Sequence, residues 1–206
     1  RWQLTSRLKL LYSSVVRAEL ASYDVYDELK AWLPSGFESW DWFSRAQYLE
    51  ASTLLPGYIL SSQGDRVAMA HSVEGRFPFL DHRVIDFAAS LPPRLKMKVL
   101  DEKYILKLAA RSIVPDVITR RSRQPYRAPD AKCFVSPESK GTLPDYAEAL
   151  LAPARLAEDG IFNPHAVGQL LTKVRAGRAV SIRDNMAFVG VLSTQLVVDR
   201  FIRRAG

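Results

Sequence analysis

Cysteine is nearly absent from the 206-residue sequence, which contains Cys133 alone. An internal disulfide framework and cysteine-based zinc or iron–sulfur sites are therefore excluded, and a reducing compartment is expected. No apolar run approaches the ~18 residues that a membrane span requires, and the N-terminal segment lacks the apolar core of a signal peptide. These absences predict a cytoplasmic protein that does not cross a membrane.

Glycine and histidine are also sparse. The ten glycines never lie closer together than seven positions, so the sequence lacks the GxGxxG, GxxxxGK[ST] and SGGxDS loops whose backbone amides bind phosphate. The three histidines do not cluster and form no HExxH motif, and we predict no metal site. The chain alone therefore does not encode a complete nucleotide-using enzyme.

Positive charge is in excess, and it is concentrated in one stretch. The net charge is +7, and residues 91–135 hold eleven lysines and arginines against four acidic residues, which equals the whole imbalance. A local basic field of this kind favours a polyanionic ligand such as a nucleotide, pyrophosphate or nucleic acid. A solvated basic surface is the alternative interpretation.

The dominant hydrophobic period is that of an α-helix, which predicts a mostly α-helical chain. Ser44 and Gln47 have the spacing of a capping box, and Asp101 is placed to cap a further helix. Asn163 before a proline and Gly177 bound another predicted helix. One short strand is expected near residues 95–99, and the proline-rich residues 120–145 predict a long ordered loop or two short turns. Because the chain begins with Arg1 and enters a helix at once, we expect a piece of a longer protein.

The densest charged segment spans residues 65–84. Its charges alternate with bulky apolar side chains, which predicts partial burial and hence ion pairing, Glu74 or Asp81 with Arg66 or Arg76. These pairs either lock a helix–loop junction or fix the rotamers of arginines that face a phosphate. Both interpretations remain open from spacing alone.

A second basic segment spans residues 119–130. Arg121 and Arg123 lie two positions apart in extended backbone and project to the same side, with Arg127 and Lys103 adding charge. Two prolines restrict the backbone of this segment, so it can bind a polyphosphate with a small loss of conformational entropy. A plain basic surface loop is the equally weighted alternative.

Several stretches resemble the C-terminal half of class II, glutamine-dependent asparagine synthetases. They are LPGY at 55–58, DRVAMAHSVEGRFPFLD at 65–81, EKYILK at 102–107, RSRQPYRAP at 121–129 and DNMA at 184–187. The resemblance covers most of the chain. It implies that residues 1–206 are the C-terminal helical part of an α/β, adenine nucleotide α-hydrolase-like synthetase domain. The N-terminal glutaminase domain and the SGGxDS pyrophosphate loop are not present in this sequence.

The activity implied by the resemblance is that of a carbon–nitrogen ligase of asparagine biosynthesis. ATP with Mg²⁺, bound mainly by the missing half of the domain, adenylates aspartate. Ammonia from glutamine then gives asparagine, AMP and pyrophosphate. The implied partners are the missing half of the synthetase domain and the glutaminase domain, and a homodimer of the parent protein is left open.

The resemblance also assigns roles to particular residues. Arg123 is the catalytic candidate, because similar sequences carry a lysine there that stabilises the anionic intermediate and pyrophosphate. Structural ion pairs near the site are assigned to Asp65, Glu74 and Asp81. Substrate or pyrophosphate binding is assigned to Arg66, Arg76, Lys103, Arg121 and Arg127.

Two other functions stay open. The first is a related amidotransferase that acts on a different carboxylate, as in natural-product or β-lactam formation. The second is a non-catalytic basic helical module that binds nucleic acid. The second is disfavoured, because the aromatic residues lie mostly on apolar helical stripes and do not alternate with the basic loop as a base-stacking platform would.

Overall fold

The computed structural model describes residues 6–122, 130–135, 141–179 and 181–203. Helices dominate these residues, which confirms the mostly α-helical fold class. Within them no helix combines the length and the apolar composition that a bilayer span requires. The twelve α-helices of the described residues are α1 (Ser14–Glu19), α2 (Val25–Trp32), α3 (Trp42–Thr53), α4 (Asp65–Ala70), α5 (His82–Ser90), α6 (Pro93–Lys96), α7 (Tyr104–Ala109), α8 (Asp116–Thr119), α9 (Asp145–Leu150), α10 (Pro153–Asp159), α11 (Pro164–Arg175) and α12 (Ile182–Val197).

The chain divides into two compact units. The terminal unit comprises Arg1–Val25 and Pro125–Gly206, and the central unit comprises Tyr26–Gln124. The terminal unit contains α1 and α9–α12, whereas the central unit contains α3–α8 and almost all of α2. Each unit is described separately below.

The terminal unit has a hydrophobic core built mainly from α9–α12. Full burial of a large apolar side chain contributes about 1.5–3 kcal/mol, so this cluster is the main source of the unit's stability. The N-terminal segment joins it through Tyr12, whose ring stacks on Phe162 with centroids 5.8 Å apart. The largest buried members are Leu143, Leu150, Leu151, Leu156, Phe162, Val167, Leu170, Leu171, Val174, Phe188, Val191 and Leu192.

Local signals define both ends of α11. The Asn163 side chain accepts hydrogen bonds from the amides of His165 and Ala166, at 2.9 and 3.2 Å, and so caps the N-terminus. Gly177 follows the C-terminus with a φ of +66°, the left-handed conformation that glycine adopts without strain. The predicted limits of this helix are therefore confirmed.

A buried carboxylate ties three parts of the terminal unit together. The Asp159 side chain is 1% exposed. It accepts hydrogen bonds from Arg155 Nε at 3.0 Å, Gln195 Nε2 at 2.7 Å and Arg203 Nε at 2.8 Å. Burial raises the pKa of Asp159, but these hydrogen bonds outweigh it and hold the pKa below the ordinary value of 3.8. One ionised group thus links α10, α12 and the π-helical segment Val198–Arg203.

The hairpin of the central unit consists of β1 (Met97–Lys98) and β2 (Asp101–Glu102), which pair antiparallel with Met97 opposite Glu102. It contains the strand predicted near residues 95–99. Asp101 was expected to cap a helix, and this expectation is wrong because its backbone belongs to β2. Instead α7 begins after Lys103, which takes a left-handed φ of +57°.

A second capping prediction also differs from the structure. Asp41 caps α3, and its carboxylate accepts hydrogen bonds from the Phe43 and Ser44 amides at 2.9 and 3.0 Å. The capping box expected at Ser44 and Gln47 is therefore wrong, because the helix begins at Trp42 and Asp41 already accepts from the Ser44 amide, to which the Gln47 side chain of such a box would bond. The Gln47 side chain instead accepts a hydrogen bond from Lys96 Nζ at 3.3 Å.

The central unit buries little apolar surface. Among its described residues, Phe37 is the one apolar side chain in the buried class, and its ring lies 5.5 Å from Trp40 and 5.8 Å from Tyr48. A π-helical segment, Leu55–Gly64, joins α3 to α4. Many large apolar side chains of this unit are solvent-exposed, among them Trp42, Met69, Val73, Phe79, Phe87, Leu100, Ile113 and Val117.

We predict that Asp159→Asn lowers the free energy of unfolding of the terminal unit by about 2–4 kcal/mol, because two arginines lose their buried counter-ion. Urea unfolding measures this change. Asp145→Asn is the matched control, since Asp145 is exposed in the first turn of α9, and it should have little effect. Equal, small effects of both substitutions would contradict the assigned role of Asp159.

The same network predicts how stability depends on pH. Because folding lowers the pKa of Asp159, its contribution is complete above the unfolded value of 3.8 and is lost as the pH falls through the folded value. The stability difference between wild type and Asp159→Asn should therefore be constant from about pH 6 to about pH 4 and shrink at lower pH. A difference that persists undiminished in acid would show that Asp159 does not act through its charge.

Candidate active site

The segment Asp65–Asp81 forms two short helical turns with a chain reversal between them. The Ser72 amide donates to the Met69 carbonyl at 3.1 Å, and the next amide donates to the Ala68 carbonyl at 2.9 Å. These two bonds end α4 in a Schellman motif, in which Ser72 has a φ of +58° at a position that glycine usually occupies. A non-glycine residue in this conformation is a local strain of the type that is found at functional sites.

Glu74 and Arg76 form an ion pair directly after this reversal. Arg76 Nη1 donates to Glu74 Oε1, and the two side chains are 78% and 67% exposed. An exposed pair is screened by solvent and contributes little to folding. Its main effect is to restrict the rotamer of the Arg76 guanidinium.

Asp81 has a different partner from those expected. It caps α5 by accepting from the Arg83 amide at 2.9 Å, and its carboxylate also accepts from Arg83 Nε at 3.0 Å and Nη2 at 2.9 Å. The hydrogen bonds from Arg83 hold the pKa of Asp81 below its ordinary value. The expected pairing of Asp81 with Arg66 or Arg76 is therefore corrected. An aspartate two residues before an arginine at a helix start is the signal that could have found it.

Asp65 and Arg66 open α4 and are both exposed. Within the described residues neither forms an ion pair. Partial burial was expected for some of the charges of residues 65–81. It is found for Asp81, whereas the other charged side chains of this segment are exposed, because the central unit has almost no core of its own. Arg66 therefore keeps all its guanidinium donors available.

Lys103 and Arg121 are likewise exposed. Lys103 precedes α7 and Arg121 follows α8, and neither has an ion-pair partner in the described part of the chain. Arg123 and Arg127 lie outside the described residues, as do residues 123–129 and 136–140 of the loop predicted over 120–145. Among the described site cations, Arg66, Lys103 and Arg121 are thus available to bind an anion, whereas Arg76 is paired with Glu74.

Metal ligands do not converge in this part of the molecule. Over the described ranges no three His, Cys, Asp or Glu side chains form a group that could hold a metal ion.

Comparison with known proteins defines the class to which this arrangement belongs. A sequence model described as asparagine synthase matches residues 2–199, which include both charged segments. The chain therefore belongs to the asparagine synthase family. No solved structure is significantly similar.

Individual relatives match shorter parts of the chain. It is 38% identical over 96 residues to Amidase chry2 of Gibberella zeae and to Amidase chyE of Penicillium rubens, and these residues are 44% of this chain. It is 38% identical over 86 residues, 42% of this chain, to asparagine synthetase [glutamine-hydrolyzing] 1 of Bacillus subtilis. The matched part of this chain spans 13–14% of the length of these relatives.

We predict that Asp81→Ala lowers the thermal unfolding midpoint, whereas Asp81→Ser largely preserves it, because serine also caps helices but does not pair with Arg83. Differential scanning calorimetry of the three proteins measures this. If Asp81→Ser and Asp81→Ala lower the midpoint equally, Asp81 stabilises the fold through its ion pair with Arg83 and not through the helix cap.

Proposed function

We propose that this chain is the C-terminal part of the synthetase domain of a glutamine-dependent asparagine synthetase. The observation that carries the proposal is the family match over residues 2–199. Asparagine synthetases 1 and 3 of Bacillus subtilis are among the relatives, which supports aspartate as the acceptor. The glutaminase domain and the phosphate-binding loop belong, in this proposal, to parts of the protein outside these 206 residues.

The proposed reaction has two steps. A carboxylate oxygen of aspartate attacks the α-phosphorus of ATP, the bond to the bridging oxygen breaks, and pyrophosphate leaves. Ammonia from glutamine then attacks the acyl carbon of the adenylate, loses a proton, and displaces AMP to give the amide. Negative charge develops on the phosphates in the first step, so cations held in place before the reaction lower its barrier.

This chain supplies such cations in the proposed mechanism. Arg66, Lys103 and Arg121 have no ion-pair partner within the described residues, and Arg76 is oriented by Glu74. A guanidinium binds two phosphate oxygens through parallel N–H donors. We assign these residues and Arg127 to substrate or pyrophosphate binding.

The exposed apolar side chains of the central unit support the proposal that this unit also contacts a protein partner. Met69, Phe79 and Phe87 are 66%, 69% and 65% exposed on the central unit, and exposed apolar groups of this size mark contact surfaces. We assign this surface to the remainder of the synthetase domain, which also supplies most of the ATP and Mg²⁺ contacts. A homodimer of the parent protein stays a further proposal.

A second candidate changes only the acceptor. The two fungal relatives are named amidases, and their similarity to this chain is as high as that of the Bacillus subtilis asparagine synthetase. Amidation of a different carboxylate would use the same cations and the same pyrophosphate release. Profiling carboxylates other than aspartate separates this candidate from the first.

The direct test is to measure pyrophosphate and asparagine formed by the whole protein from aspartate, glutamine and Mg-ATP. Both products should appear in equal amounts, and pyrophosphate release should require aspartate. Release that requires another carboxylate would favour the second candidate. If no carboxylate supports release and binding of random-sequence DNA is steeply salt-dependent, the chain is a basic binding module.

We predict that Arg123→Lys keeps or raises turnover in the whole protein, because lysine preserves the charge that stabilises the departing pyrophosphate. Arg123→Ala should abolish amide formation. Arg178→Ala, at an exposed arginine of the terminal unit, is the control and should retain wild-type turnover. Normal turnover of Arg123→Ala would refute the catalytic assignment.

We predict that Glu74→Gln leaves the unfolding midpoint unchanged, because the Glu74–Arg76 pair is exposed, but lowers pyrophosphate release by releasing the Arg76 rotamer. Glu38→Gln is the control, since Glu38 is exposed and has no ion pair in the described residues. Calorimetry and a pyrophosphate assay are run on both variants. A destabilised Glu74→Gln protein would instead assign the pair to folding.

A further inference from the structure

The central unit contains a cleft that is lined by none of the residues assigned above to substrate or pyrophosphate binding. It lies between α7 and α8 and has a volume of about 560 Å³. Tyr104, Lys107 and Leu108 lie on one face of α7 and line one wall, together with Arg111 of the turn that follows the helix. The second wall is α8, which contributes Thr119 among others.

Charge in the cleft is only partly balanced. Lys107 forms an ion pair with Asp101, and Arg120 Nη2 lies 2.7 Å from Asp116 Oδ2. Arg111 has no ion-pair partner anywhere in the described part of the chain. The cleft is therefore lined by three cations and two carboxylates, and the Arg111 guanidinium has no counter-ion among the described residues.

Two residues that line the cleft, Tyr104 and Arg111, offer hydrogen-bond donors of the kind that bind a tetrahedral oxyanion. The Tyr104 hydroxyl accepts a hydrogen bond from Lys98 Nζ at 3.3 Å, which leaves its own O–H free to donate. Arg111 offers a planar fork of N–H donors that matches two oxygens of a phosphoryl group. We propose that this cleft binds a phosphoryl group, with Arg111 as its principal ligand.

The position of the cleft in the chain indicates which phosphoryl group it binds. Its α8 wall includes Thr119 and Arg120, which directly precede Arg121, a residue assigned to substrate or pyrophosphate binding. We therefore assign the ligand as pyrophosphate or the matching phosphates of ATP. This assignment rests on the proposed function, and it adds Arg111 to the residues that hold the leaving group.

Calorimetric titration of the whole protein with inorganic pyrophosphate tests the proposal. Arg111→Gln should raise the Kd at least about fivefold, because a charge-assisted hydrogen-bonding group is removed. Arg111→Lys should raise the Kd less, since lysine keeps the positive charge but lacks the two parallel N–H donors of the guanidinium. Arg94→Gln is the matched control, because Arg94 is exposed on α6, has no ion pair in the described residues, and does not line the cleft.

An unchanged Kd for Arg111→Gln, or an equal rise for Arg94→Gln, would overturn the proposal. Parallel titrations with ATP and inorganic phosphate identify the source of the group. Weaker binding of both pyrophosphate and ATP supports the assignment, whereas an effect confined to inorganic phosphate overturns it. Arg111 is exposed, so the variant should fold, and circular dichroism checks this. If it does not fold, Arg120→Gln supplies the second variant and should also weaken pyrophosphate binding.

Failure of this inference and failure of the proposed function give different results. If wild type releases pyrophosphate but Arg111→Gln binds it normally, the cleft assignment fails and the proposed function stands. If wild type releases none with any carboxylate but Arg111→Gln weakens pyrophosphate binding, the cleft is an anion site and the proposed reaction fails.

Discussion

Uneven burial of apolar surface is the constraint on which the structure of this chain depends. The terminal unit packs a continuous core from α9–α12, whereas Phe37 is the one buried apolar side chain among the described residues of the central unit. Hydrophobic burial is the dominant favourable contribution to folding. The central unit must therefore rely on helix caps, tight turns and short-range ion pairs. Its large exposed apolar side chains require another surface, which in our proposal is the rest of a synthetase domain.

The two units also differ in how they use charge. In the terminal unit, Asp159 is buried and satisfied by two arginines and a glutamine, so its charge serves the fold. In the central unit, Arg66, Lys103 and Arg111 are exposed and have no ion pair within the described residues. An uncompensated positive field favours anionic ligands. In our proposal, the unpaired cations of the central unit bind phosphates.

Features set by neighbouring residues could be predicted from the sequence, and features set by tertiary contacts could not. The ends of α11 follow from Asn163 and Gly177, because a cap and a left-handed glycine act within one helical turn. The start of α3 was misplaced, since Asp41 and Ser44 both have capping side chains and only the structure shows which one is used. Partial burial of the charges of residues 65–81 holds for Asp81 but not for Asp65, Arg66, Glu74 or Arg76, because burial depends on what covers a side chain. The Asp81–Arg83 pair was missed although it is local. The role of Arg123 rests on family resemblance, because this residue lies outside the described ranges.

Carboxylate adenylation is the central claim, and ATP–pyrophosphate exchange measures it most directly. Labelled pyrophosphate should enter ATP when the whole protein is incubated with Mg-ATP and aspartate in the absence of glutamine and ammonia, because formation of the acyl-adenylate is then reversible. The label should not enter ATP when the carboxylate is omitted. Absence of exchange with aspartate and with every other carboxylate tested, in a folded protein that binds ATP, would contradict the claim.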